Sequence, residues 1–171
     1  MAKFLTATSR RFYIFVLLFM TGCAASGPAF QQQTATDGNQ GTVYFYRIYS
    51  ALGSAASPYI YIDGKYKGKL KPGGYLYFHL PEGSYEITLG SIDGPDSNWN
   101  WAPEPYVFSL SIVAGESQFY KFMMHTDGSE ATVQVVGNIA VPVKTGTAGV
   151  KLEEVERTRA LEEIKHTKLS H

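Results

Sequence analysis

The chain has 171 residues, 15 Lys and Arg against 15 Asp and Glu, and a single cysteine. That length suffices for one hydrophobic core, and one cysteine excludes an internal disulfide framework. The first 22 residues hold three of the bases and none of the acids, so the remainder carries 12 bases against 15 acids. A net charge near −3 lacks the basic excess of a nucleic-acid binder.

The first element is an apolar run, Phe12 to Met20, preceded by Lys3, Arg10 and Arg11 and closed by Thr21-Gly22-Cys23. A basic start, a short apolar stretch and small residues at the exit describe a secretory signal. The run falls short of the roughly 20 residues that span a bilayer. Gly22-Cys23 resembles the bacterial lipobox, in which a peptidase cuts before a lipid-modified cysteine. The resemblance implies removal of residues 1–22 and a diacylglyceryl group, with an N-acyl chain, on Cys23. At about 0.8 kcal/mol per buried methylene, two or three chains hold a protein on a membrane. Ala24, in a place where Asp would imply retention at the inner membrane, resembles the sorting pattern for the outer membrane, facing the periplasm.

Residues 23–41 follow, rich in Gln, Thr, Ala and Gly and poor in bulky apolar side chains. This composition predicts a flexible tether whose ends lie roughly 25 Å apart. From Thr42 the texture changes. Strands are predicted over Thr42–Tyr49, Pro58–Ile62, Lys65–Leu70, Tyr75–Leu80, Ser84–Leu89, Tyr106–Val113, Gln118–His125 and Ala131–Val136, with a last one over Gly149–Val155. Turn signals separate them, among them Asp63-Gly64, Pro81-Glu82-Gly83 and Asp127-Gly128. Such spacing predicts an all-β fold, a single antiparallel β-sandwich over residues 42–171.

Period-two alternation supplies the core faces. Leu76, Phe78 and Leu80 oppose Tyr75, Tyr77 and His79, and Tyr85, Ile87 and Leu89 share one face. Tyrosine on the opposite faces suits rings half buried with their hydroxyls in water. Thr158 to Lys168 is the one good helix candidate, with Ala160, Leu161 and Ile164 on one side, and is expected to pack over a sheet edge or face.

The string Val43–Arg47, Tyr59 to Lys65, Gly68-Lys69-Leu70, Gly73-Gly74-Tyr75 and Leu80 to Tyr85 resembles a family of bacterial envelope lipoproteins known only as a domain of unknown function. It is similar, more distantly, to PEGA-type β-sandwich modules, which share the Asp-Gly-Lys hairpin. The resemblance covers Gly41 to Leu169, with Ala114 to Tyr120 fitting a late strand. It implies a fold and carries over no catalytic residue.

Candidate chemistry is sparse. The segment from Ser91 holds Asp93, Asp96, Asn98, Trp99, Asn100 and Trp101, flat rings interleaved with hydrogen-bonding groups that could hold a sugar or peptide. The commoner use of such rings is to cap a core. Lys65, Lys67, Lys69 and Lys71 recur at every second residue, so one strand would project all four from one face, toward anionic headgroups. The plainer reading is that they guard an edge strand from pairing, with Gly68 a position for a bulge that breaks the row. The histidines lack ligand spacing and the glycines lie in turns, so no metal, cofactor or catalytic group is expected. Nor is a small-molecule ligand. The expectation is a non-enzymatic outer-membrane lipoprotein with an envelope protein partner, the alternative being a glycan-binding module built on Trp99 and Trp101.

Overall fold

A computed structural model describes residues 24–51, 54, 56–90, 105–126, 130–136, 139–145 and 148–170 of the chain, with side chains given outside 125–149. In chain order the strands are β1 (Gln40–Tyr46), β2 (Tyr59–Ile62), β3 (Lys65–Lys69), β4 (Gly74–Pro81), β5 (Gly83–Leu89), β6 (Tyr106–Ile112), β7 (Ser117–Thr126), β8 (Glu130–Val136), β9 (Ile139–Thr145) and β10 (Ala148–Glu154). Helix α1 (Arg157–Ile164) and the short strand β11 (Lys168–Leu169) complete the described elements.

Two sheets face each other, one ordered β10-β7-β1-β4-β11 and the other β3-β2-β5-β6. β8 and β9 pair with one another as a separate ladder. The fold is an all-β sandwich with a short C-terminal helix. Two of its pairings, β1 with β7 and β4 with β11, are parallel and depart from a purely antiparallel arrangement. The reason lies in connectivity: β7 enters the larger sheet after the chain has crossed from β6, and β11 enters after α1.

The core lies between the sheets, where Val43, Phe45, Leu76 and Phe122 of the larger sheet meet Ile60, Ile87, Leu89 and Ile112 of the smaller. Each such side chain contributes about 1.5–3 kcal/mol by leaving water. Gly64, with φ of 72°, and Asp63, with φ of 49°, form the tight turn between β2 and β3 that the Asp-Gly pair predicts.

A second core lies on the far face of the larger sheet, where water-facing tyrosines were expected. Tyr44, Tyr46, Tyr75 and Phe119 pack there against Val155, Ala160 and Ile164. Tyr44 and Tyr46 are wholly buried, and burial raises the pKa of each. Their hydroxyls find partners inside the protein: Tyr44 donates to Gln33 O at 2.8 Å, and Tyr46 to Glu163 Oε2 at 2.8 Å. The helix is covered as its period predicts, with Ala160 and Ile164 inward.

The strands run between two ends of the sandwich. At the proximal end β1, β3 and β5 finish, while β2, β4 and β6 begin. The Lys71–Gly74 turn lies there, and so does the root of the β8–β9 ladder, since β7 runs on past the last residue of β1. The distal end carries the Asp63-Gly64 and Pro81-Glu82-Gly83 turns.

Candidate functional site

Residues 25–33 are joined to the domain, in place of the tether that their composition predicts. The N–H groups of Ala25, Gly27 and Phe30 donate to Pro72 O, Leu169 O and Thr167 O at 3.0, 3.1 and 3.1 Å, and Leu169 N–H donates to Pro28 O at 2.8 Å. Gln33 N–H reaches the Tyr44 hydroxyl at 2.7 Å. Phe30, the one bulky side chain of the stretch, stands edge-on to Tyr44 and Tyr75 at centroid distances of 5.7 and 5.2 Å. Backbone pairing to the C-terminal segment, which composition does not report, converts a polar stretch into a strap that runs from the proximal end along the far face of the larger sheet to Tyr44. Gly74 lets it dock. A Cβ there would lie 2.9 Å from Ala25 Cβ and 2.8 Å from Lys71 O, and would collide with Ser170 Oγ.

The strap and α1 cover the larger sheet; the smaller sheet faces outward. Tyr59 and Tyr61 of β2 and Tyr66 of β3 form a cluster on that outer face, with Tyr66 edge-on to both at 5.6 and 5.8 Å. Tyr66 is 56% exposed and Val107 of β6 is 53% exposed. Lys69 Nζ sits 4.7 Å from the centre of the Tyr59 ring, a cation–π contact. Among the described residues no helix packs on this face.

The four-lysine face does not form. A register shift between Ile60 and Tyr61 pairs Lys69 with Tyr59, whose ring points outward, and Lys65 with Ile62, which points into the core. The bulge takes up Lys67 as the extra residue, and Lys71 lies beyond the strand in the proximal turn. Cys23 and the segment holding Asp93, Asp96, Asn98, Trp99, Asn100 and Trp101 lie outside the described residues. The strands that flank that segment, ending at Leu89 and starting at Tyr106, meet the proximal end.

Two polar groups carry only a faint local signal, buried Arg47 and half-buried Glu163. Arg47 continues the core-facing alternation of Val43 and Phe45, and that alternation was the available signal. Its guanidinium donates to Ala56 O at 2.6 Å and lies 5.3 Å from the centre of the Phe122 ring. Burial lowers its pKa to about 10. A cleft of about 300 Å³ opens beside it, lined by Ile48, Tyr49 and Met124. Glu163 of α1 accepts from Lys121 at 2.9 Å, Arg159 at 3.1 Å and Tyr46. Burial alone would raise its pKa, but the three donors outweigh burial and hold the carboxyl below its usual range. Within α1 only Arg159, four residues earlier, marks this residue; its other partners, Tyr46 and Lys121, come from β1 and β7.

His79 Nδ1 lies 3.0 Å from Thr42 Oγ1 across the β1–β4 pair. Among the described residues no three of His, Cys, Asp and Glu converge as metal ligands, and no helix is long and apolar enough to cross a membrane.

A family described as protein of unknown function, DUF2846, matches residues 37–137. The chain belongs to this family. The DUF2846 match spans β1 through β8 and so takes in both sheets and the tyrosine cluster, but stops short of α1 and begins after Gln33. The motif string from Val43 to Tyr85 falls inside it. No curated protein matches the chain.

Proposed function

We propose that this chain is a lipoprotein of the bacterial envelope, anchored through Cys23 to the periplasmic leaflet of the outer membrane, and that its sandwich binds and scaffolds other envelope proteins without catalysing a reaction. The observation that carries the binding reading is the aromatic cluster on the outer face of the smaller sheet, where Tyr61 is 9% exposed and Tyr66 presents the cluster to solvent. Three clustered tyrosines stand there with Tyr66 more than half exposed. Tyrosine supplies wide contact area at low conformational cost and is enriched where proteins meet. The anchor reading rests on the basic start, the short apolar run and Gly22-Cys23.

A photo-cross-linking amino acid placed at Tyr66, and in a second strain at exposed Glu156 on the other side of the molecule, tests the binding reading in cells. A reproducible, near-stoichiometric envelope protein joined from position 66 and absent from position 156 supports it. Cross-links to the chain itself alone, or to peptidoglycan alone, contradict it, and the latter moves the assignment to a glycan-binding module.

A further inference from the structure

A lipid on Cys23 has a geometric consequence for the domain, and the inference here rests on that anchor reading. Ala25 is 8% exposed and bonded to Pro72 O at 3.0 Å. Cys23 precedes it by two residues, which reach about 7 Å at most. No free linker would then separate the leaflet from the proximal end.

The chemistry of that end suits a headgroup layer. Ile48 is 39% exposed and Tyr49 63% exposed. A Cβ on Gly73 would lie 3.4 Å from that of Tyr49, so the ring's base adjoins the Lys71–Gly74 turn. Exposed Lys168 donates its backbone N–H to Gly73 O at 3.0 Å, and half-buried Lys71 lies within the same turn. Exposed apolar and aromatic side chains beside lysines are the combination that settles at an anionic membrane surface. The carboxylates of the last turn of α1 are held: Glu163 by Lys121 and Arg159, and Glu162 by Lys165. The distal end is predominantly acidic, with exposed Asp37, Asp63, Glu82, Glu86, Glu116 and Glu156 beside exposed Lys65 and Arg157.

We propose that the proximal end, through Ile48, Tyr49, Lys71 and Lys168, lies directly on an anionic phospholipid leaflet and holds the domain in one orientation. The strands then stand away from the membrane with the acidic end outward. The outer face of the smaller sheet is then upright, with Tyr66 and Val107 exposed to partners.

Acylation would cap the only cysteine, so a cysteine introduced at Tyr49 or Glu82 becomes the single labelling site. The full-length lipoprotein, labelled at one position with a fluorophore, is reconstituted in vesicles of phosphatidylcholine with phosphatidylglycerol that carry nitroxide lipids. Strong quenching is expected for Tyr49→Cys and little for Glu82→Cys. A lysine beside an anionic surface shifts the docked-to-free ratio about fivefold. Lys71→Gln with Lys168→Gln should therefore lower it about thirtyfold and cut the quenching at position 49. Equal quenching at both positions of an acylated protein overturns the oriented docking and leaves the anchor standing. The same quenching at position 49 in pure phosphatidylcholine overturns the role given to anionic headgroups. Mass spectrometry that finds no acyl chain on Cys23 overturns the anchor, and this inference with it.

Discussion

Phe30→Ala separates a strap from a tether. Full removal of a core phenylalanine costs about 3–5 kcal/mol. Phe30 is half buried and makes two edge-on ring contacts, at 5.7 and 5.2 Å, each contributing about 0.5–1.5 kcal/mol. Scaling the cavity cost for its partial exposure, the loss should be about 2 kcal/mol, with the ring contacts included in that figure. Urea denaturation of the full chain in detergent, followed by far-ultraviolet circular dichroism, should show the midpoint falling by about 1 M for a slope near 2 kcal/mol per molar. Gln32→Ala, at an exposed neighbour, should stay within about 0.5 kcal/mol of the parent. If Phe30→Ala behaves like Gln32→Ala, the strap contributes nothing to the fold and the short link to Cys23 loses its basis.

Other outcomes follow from the same contacts. Gly74→Ala should destabilise by about 1–3 kcal/mol and speed hydrogen exchange at the Ala25 amide, because the added methyl meets Ala25, Lys71 and Ser170 together. Glu163 has a folded-state pKa below its ordinary value, so its contribution is present above the unfolded pKa and is lost as pH falls through the folded one. Acid titration of stability in the parent should show that loss below the usual carboxylate range of about 4.3, and Glu163→Gln should lose about 1–3 kcal/mol at neutral pH and flatten the acid limb. Arg47→Leu should cost about 1–3 kcal/mol by chemical denaturation, since it leaves Ala56 O without the donor at 2.6 Å.

Much of the sandwich was legible in the residues themselves. Alternation in β4 and β5 placed Leu76, Leu80, Ile87 and Leu89 correctly in the core, and Asp63-Gly64 marked its turn. β9 was not foreseen, because Pro142 interrupts a run that otherwise reads as strand. β11 is two residues long and takes its conformation from β4 and the strap, with no local signal of its own. The tyrosines of β1 show the limit most plainly. Val43 and Phe45 face one way and Tyr44 and Tyr46 the other, yet no local pattern reports that a helix more than a hundred residues later covers the tyrosines. In the lysine row the bulge that divides Lys65 from Lys69 was signalled locally by Gly68, which pairs with Ile60 beside the register shift. Local period reads faces; it does not read what covers them.

Cys23 carries the proposed anchor, and intact-mass analysis of the protein recovered from bacterial membranes tests it most directly. The predicted result is a chain that begins at Cys23 and carries a diacylglyceryl group with an N-acyl chain. A chain cut elsewhere, or one whose Cys23 is a free thiol, would contradict it.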